Sequence, residues 1–185
     1  MKDIVYYDLE TQRSISSVGG YSHIDQLKVS VGVAYSTRTG RYHIFGEDGL
    51  DELIQMLLSA DLVVGYNHIG FDYKVLHGYT ILDLESQTNN LDMMLDIQGI
   101  IDKRLKLDAI ASASLGMTKT ADGLEALKWW KEYAQTKDKE PLMKIAKYCA
   151  YDVKVTRFVH EYGMEHGHVK YDDKMGGVSE VEVHW

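Results

Sequence analysis

The sequence predicts an α/β fold, a mixed central β-sheet flanked by helices and followed by a C-terminal β-hairpin. Three observations predict it. Short β-branched and aromatic runs come early, helical spacing dominates the second half, and two alternating runs close the chain. Ile4-Val5-Tyr6 is a brief apolar run bounded by polar residues, the pattern of a buried strand. Residues 28–35 alternate and residues 41–45 continue the alternation. Between them Ser36-Thr37-Arg38-Thr39-Gly40 ends in glycine, so the two runs form a hairpin. Leu50, Leu53, Ile54, Leu57 and Leu58 recur at helical spacing and predict an amphipathic helix over residues 48–59. Residues 61–66 read as a second buried strand.

Helices are expected over residues 70–77, 91–101, 107–115 and 123–133, the third ended by Gly116 and the fourth carrying Trp129-Trp130. Adjacent tryptophans point to different helix faces, so one of them at most is expected to be well buried. Pro141 suits a first helical turn, where its missing N–H costs nothing, and opens a long helix to residue 165. Two alternating runs around Lys174-Met175-Gly176-Gly177 form a terminal hairpin over residues 168–185. The polar stretch 12–26, centred on Gly19-Gly20, shows no period and reads as a long loop. Without a repeat, a low-complexity tract or an interior linker, residues 1–185 are expected to form one domain.

With 45% hydrophobic and 26% charged residues, the 185-residue chain has the balance of a globular protein with a sizeable core. Cys149 is the only cysteine, which excludes an internal disulfide and points to a reducing compartment. No apolar run approaches a membrane span, and Lys2-Asp3 does not begin a signal peptide, so a cytoplasmic location and no membrane partner are expected. The net charge of −8 argues against a long wrapped contact with nucleic acid. Residues 103–147, however, hold ten basic and six acidic side chains on an otherwise acidic chain. A short backbone contact is compatible with that segment, through Lys103, Arg104, Lys106 and Lys119. The eight histidines show no His-x-x-x-His spacing, and no nucleophile elbow or phosphate-binding glycine loop is present.

The chemistry concentrates in three places. In Tyr6-Tyr7-Asp8-Leu9-Glu10-Thr11, the carboxylates of Asp8 and Glu10 lie two apart on a strand and project to one face. Like charges held together need a cation or a proton between them, and hard oxygen ligands suit Mg²⁺ or Mn²⁺. Asn67-His68-Ile69-Gly70-Phe71-Asp72 follows the second buried strand and places Asp72 in the first turn of a helix, where the helix dipole favours a carboxylate modestly. Tyr148 and Asp152 are i and i+4 in the long helix, one turn apart on one face. Each stretch alone has a bland reading as strand end, loop cap or surface pair.

Together the three stretches resemble the motifs of the DEDD (DnaQ-like) 3′–5′ exonucleases. Asp8-x-Glu10, Asn67-x-x-x-Phe71-Asp72 and Tyr148-x-x-x-Asp152 occur in the order and contexts of that family, over most of the chain. Tyrosine four residues before Asp152 is similar to the tyrosine subgroup. A nearer resemblance is to ribonuclease-H-like exonuclease domains, some of them fused to helicases. There too a Gly-Gly loop follows the first motif, and a segment like residues 116–124 leads into an aromatic helix like Leu127-Lys128-Trp129-Trp130.

The resemblance implies a ribonuclease-H-like sheet and a phosphodiester hydrolase acting on DNA or RNA at a single-stranded 3′ end, releasing nucleoside 5′-monophosphates. Asp8, Glu10, Asp72 and Asp152 would hold two divalent cations, Mg or Mn, and Tyr148 would aim the attacking water. Thr11, Asn67 and Phe71 would touch substrate. A helicase or other nucleic-acid enzyme would be a candidate partner, as a separate polypeptide. The rival expectation is a catalytically silent nucleic-acid-binding or scaffolding module on the same fold.

Overall fold

The computed structural model describes residues 2–117, 123–173 and 176–185. In chain order the elements are β1 (Ile4–Thr11), β2 (Val29–Ser36), β3 (Arg41–Phe45), α1 (Leu50–Ser59), β4 (Leu62–Gly65), α2 (Asp72–Leu76), α3 (Leu84–Gln87), β5 (Asn90–Asp92), α4 (Met93–Ile101), α5 (Leu107–Leu115), α6 (Gly123–Thr136), α7 (Lys139–His166), β6 (His168–Asp172) and β7 (Val178–Glu182). Five strands form one sheet in the order β3-β2-β1-β4-β5. β1, β2 and β3 are antiparallel neighbours, whereas β4 runs parallel to β1 and β5 parallel to β4. The expected mixed sheet flanked by helices is therefore present, and β6 and β7 form the expected C-terminal hairpin. Lys174 and Met175 of its turn lie outside the described residues.

Strand alternation sends β1 side chains into two cores. Val5, Tyr7 and Leu9 pack with Leu50, Leu53, Leu57 and Val75 on the α1–α2 side. Tyr6 packs on the other side with Val31, Val33, Ile145, Cys149 and Val153, beneath α7. Asp8 and Glu10 continue the Tyr6 row, so the same period that buries Tyr6 carries both carboxylates toward α7. The long helix is capped by Asp138, whose side chain accepts from the Glu140 amide, and it ends at Gly167 in the left-handed conformation.

Two expectations need correction. Residues 12–26 are not a shapeless loop but two 3-10 turns, Ile15–Val18 and Tyr21–Gln26, the first capped by Ser14. The stretch 91–101 is a strand followed by a helix. Asn90–Asp92 pairs with β4, and α4 begins only at Met93. Both tryptophans, 129 and 130, are only partly buried against the α7 core, which agrees with the expectation that at most one would be well buried. Among the described residues, no helix is long and apolar enough to cross a membrane.

Candidate metal centre and nucleic-acid cleft

The C-terminal half of β1 brings the first two carboxylates to the site. Asp8 pairs with Val33 and Glu10 with Val31, and the register slips between Glu10 and Thr11. Such irregularities are frequent beside functional sites, because they re-aim side chains. Across from them α7 presents Asp152. Asp8, Glu10 and Asp152 each offer a carboxylate oxygen within 4.8 Å of the others, all three half-buried. Three hard oxygen donors at that spacing fit a divalent cation of the Mg²⁺ type, which takes carboxylates and keeps waters. The donor set thus fits the metal that the sequence implies.

Asp72 is placed differently. It is the first residue of a helix only five residues long and lies outside that group of three. Its side chain is buried, and its Oδ1 accepts the Leu9 amide at 3.2 Å. Burial first, and the nearby charge of Asp8 second, push its pKa well above the ordinary carboxylate value. The expected modest help from a helix dipole is overridden by these two effects. Asp72 nonetheless feels the charge of Asp8, and both line one cleft of about 490 Å³ with Glu10, Thr11, Asn67 and Phe71.

Tyr148 is almost fully buried and hydrogen-bonds Asp152 through its hydroxyl. Burial, then Asp152, Glu10 and Asp8, raise its pKa far above that of a free phenol. It therefore stays protonated and serves as a donor. Cys149, one residue on, is buried and donates its thiol to the Asp8 carbonyl oxygen at 3.2 Å, with Asp8 Oδ2 3.5 Å away.

The other expected contacts divide among several places. Thr11 and Phe71 line the carboxylate cleft, and the Thr11 hydroxyl donates to the Arg13 carbonyl at 2.9 Å. Asn67 adopts a left-handed backbone (φ 66°) and accepts Arg104 Nη2 on Oδ1 at 2.7 Å. Asn67 and Tyr66 form a wall shared with a second cleft of about 550 Å³, which Arg104, Lys106 and Asp152 also line. Lys103 stands 4.8 Å from the centre of the Tyr171 ring. Lys119 lies outside the described residues.

Three contributors escape a reading by motif. Asp92 caps α4 and reaches back to hold the Asn67 amide at 2.8 Å and the Ile69 amide at 3.0 Å, fixing the turn between β4 and α2. An aspartate directly before the apolar run Met93-Met94-Leu95 carries the signal of a helix cap. Cys149 lies i and i+3 from Asp152, which places both toward β1. Arg13 lines the carboxylate cleft with Leu124 and Leu127 of α6, and no local pattern marks it.

A family model described as the RNase H superfamily matches residues 5–163. Comparison with curated proteins finds no match. Among solved structures, the family B DNA polymerase of the hyperthermophilic archaeon Pyrobaculum calidifontis is similar over 89% of this chain, with 18% identity and a TM-score of 0.61. The zinc-ion-bound complex of E. coli ExoI with single-stranded DNA is similar over 90% of this chain, with 13% identity and a TM-score of 0.49. This chain spans 25% of that polymerase chain and 41% of that ExoI chain, and at 18% identity the likeness to the polymerase concerns the fold alone. With its sheet order and a family match that runs from β1 through most of α7, the chain belongs to the RNase H superfamily.

Proposed function

We propose that this chain, read as one unit over residues 1–185, is a metal-dependent 3′–5′ exonuclease of the DEDD type, tyrosine subgroup. The observation that carries the reading is the convergence of Asp8, Glu10 and Asp152 within 4.8 Å. Asp72 beside Asp8 and Tyr148 on Asp152 support it. Asp8, Glu10, Asp72 and Asp152 are the residues that would hold two Mg²⁺ or Mn²⁺ ions. Bound there, such ions supply a Lewis acid to the phosphodiester and lower the pKa of water.

The chain's own groups then have distinct tasks. The four carboxylates set the ligand charge, and buried Asp72 beside half-buried Asp8 disfavours a dianion unless a cation compensates it. Tyr148, holding its proton, donates a hydrogen bond and orients the attacking water without acting as its base. Cys149 steadies the Asp8 backbone from below. Phe71 offers an apolar surface to a base, and Thr11 and Asn67 offer hydrogen-bonding groups to the terminal nucleotide. Arg104 and Lys106 give the adjoining cleft positive charge for a phosphate backbone, and Lys103 would extend it along the chain.

A single-stranded 3′ end suits these two open clefts, and the products are nucleoside 5′-monophosphates. A cytoplasmic location accords with the lone buried thiol. The test is incubation with 5′-labelled single-stranded DNA and RNA in Mg²⁺, Mn²⁺ or EDTA, resolved as a ladder. One-nucleotide shortening that requires metal is expected. Cleavage that persists in EDTA, or binding without cleavage in either metal, would sink the reading, and the second result would identify a silent binding module.

A further inference from the structure

The two edges of the central sheet are finished differently. β5, at one end, is only three residues long. β3, at the other end, has five residues, pairs with β2 in unbroken register, and contains neither proline nor lysine. Exposed edges are usually blunted by charge, proline, a bulge or shortness, because their outward N–H and C=O groups template pairing with another strand. Arg41 alone charges β3. Its most exposed apolar side chains, Ile44 at 61% and Tyr42 at 40%, stand opposite Val33 and Tyr35 of β2, on the α7 side of the sheet. Beside Ile44 lies a cleft of about 480 Å³, lined by Phe45, Trp130, Tyr133 and Met143, the last 55% exposed. Strand and cleft together make a continuous apolar edge.

We propose that β3 is a self-association edge, through which two copies of this chain pair antiparallel about a two-fold axis at His43. The charge order along the strand selects a second copy as the occupant. Arg38 and Arg41 precede or open the strand, while Glu47 and Asp48 follow it. Antiparallel pairing about His43 brings the basic end of each copy to the acidic end of the other, and parallel pairing would set like charges together. The same register lays Tyr42 of one copy against Ile44 of the other, an aromatic on a β-branched side chain, and does so twice by symmetry. β3 lies two strands from β1, so the pairing leaves the carboxylate cleft open and does not depend on the nuclease reading.

Sedimentation equilibrium over a concentration series, with circular dichroism to verify folding, tests the proposal. Wild type is expected to show a monomer–dimer equilibrium. Ile44→Lys, at an exposed position, should weaken it about tenfold or more, since each two-fold contact is lost twice. Arg41→Glu and Asp48→Lys should each weaken it, and the double variant, which leaves neither end with a net charge, should be no tighter than either single variant. His43→Cys should form an intermolecular disulfide under mild oxidation, because the axis brings the two copies of that position together. A monomer at every concentration overturns the proposal. So does a dimer indifferent to Ile44→Lys, or one indifferent to both charge reversals.

Discussion

Tyr148 and Asp152 sit one turn apart on α7, yet their surroundings suit them to different work. Asp152 contributes an oxygen to the group of three carboxylates, whereas Tyr148 meets that group through its hydroxyl. Asp152→Asn removes a charge from the proposed ligand set. It should abolish turnover and erase the rise in melting temperature that millimolar Mn²⁺ produces in the wild type by binding the folded state. Tyr148→Phe keeps the ring and loses one hydrogen bond, so the Mn²⁺ shift should survive. Turnover should fall by roughly 10- to 1000-fold, about 1.4–4 kcal/mol of transition-state stabilisation. Both variants are to be compared at saturating Mn²⁺ on one labelled oligonucleotide. A Tyr148→Phe enzyme at the wild-type rate would remove the tyrosine from the mechanism and leave the metal site standing. An unchanged melting shift in Asp152→Asn would remove Asp152 from the ligand set.

At the scale of elements, α7 is tied to the C-terminal segment by an unusually close approach. A Cβ on Gly163 would meet the Trp185 ring, with Cζ3 2.6 Å away, and Val183 Cγ2 at 3.1 Å. Trp185 is held in turn by its indole N–H, which donates to Asp96 Oδ2 at 2.7 Å, and by its ring against His160. Gly163→Ala should therefore destabilise by about 1–3 kcal/mol through overpacking, although alanine is the better helix former by about 1 kcal/mol. In a Trp185→Ala background the clash is gone, and the same Gly163→Ala change should become neutral or stabilising. Urea unfolding of the four proteins measures this, and a cost that is the same in both backgrounds would refute the account. What was legible in the sequence follows the same division between local and long-range causes. The alternation that aims Asp8 and Glu10, the i,i+4 pair on α7, and Gly116 ending α5 are local signals, and the fold keeps each of them. β5 was not legible, since three residues become a strand only by pairing with β4. The closeness of Gly163 to Trp185 depends on how the hairpin folds back, which no period records. Nor does any local pattern reveal that Asp72 would be buried under Leu9 instead of standing with the other three carboxylates.

At the scale of the whole molecule, acid stability should report a buried histidine that is not among the proposed metal ligands. His160 is 1% exposed, its Nδ1 within 2.8 Å of the Tyr6 hydroxyl, and burial lowers its pKa to about 4. In the unfolded chain it titrates near 6.5. Between those two values the unfolded state binds the proton and the folded state does not, so stability rises with pH across the window. The contribution is complete above about pH 6.5 and is lost as pH falls toward 4, with a total of about 3 kcal/mol. His68, also buried and lowered by desolvation, adds in the same direction. Asp72 acts in the opposite sense in metal-free protein, because its raised pKa lets the folded state take up a proton as pH falls and relieves its repulsion with Asp8. Urea unfolding in EDTA at several pH values between 4.0 and 7.5, for wild type and His160→Gln, separates these effects. Glutamine can still bond Tyr6 but does not titrate, so the variant should lose stability less steeply on acidification whatever its stability at neutral pH. Parallel curves for the two proteins would show that His160 is not the group that senses acid.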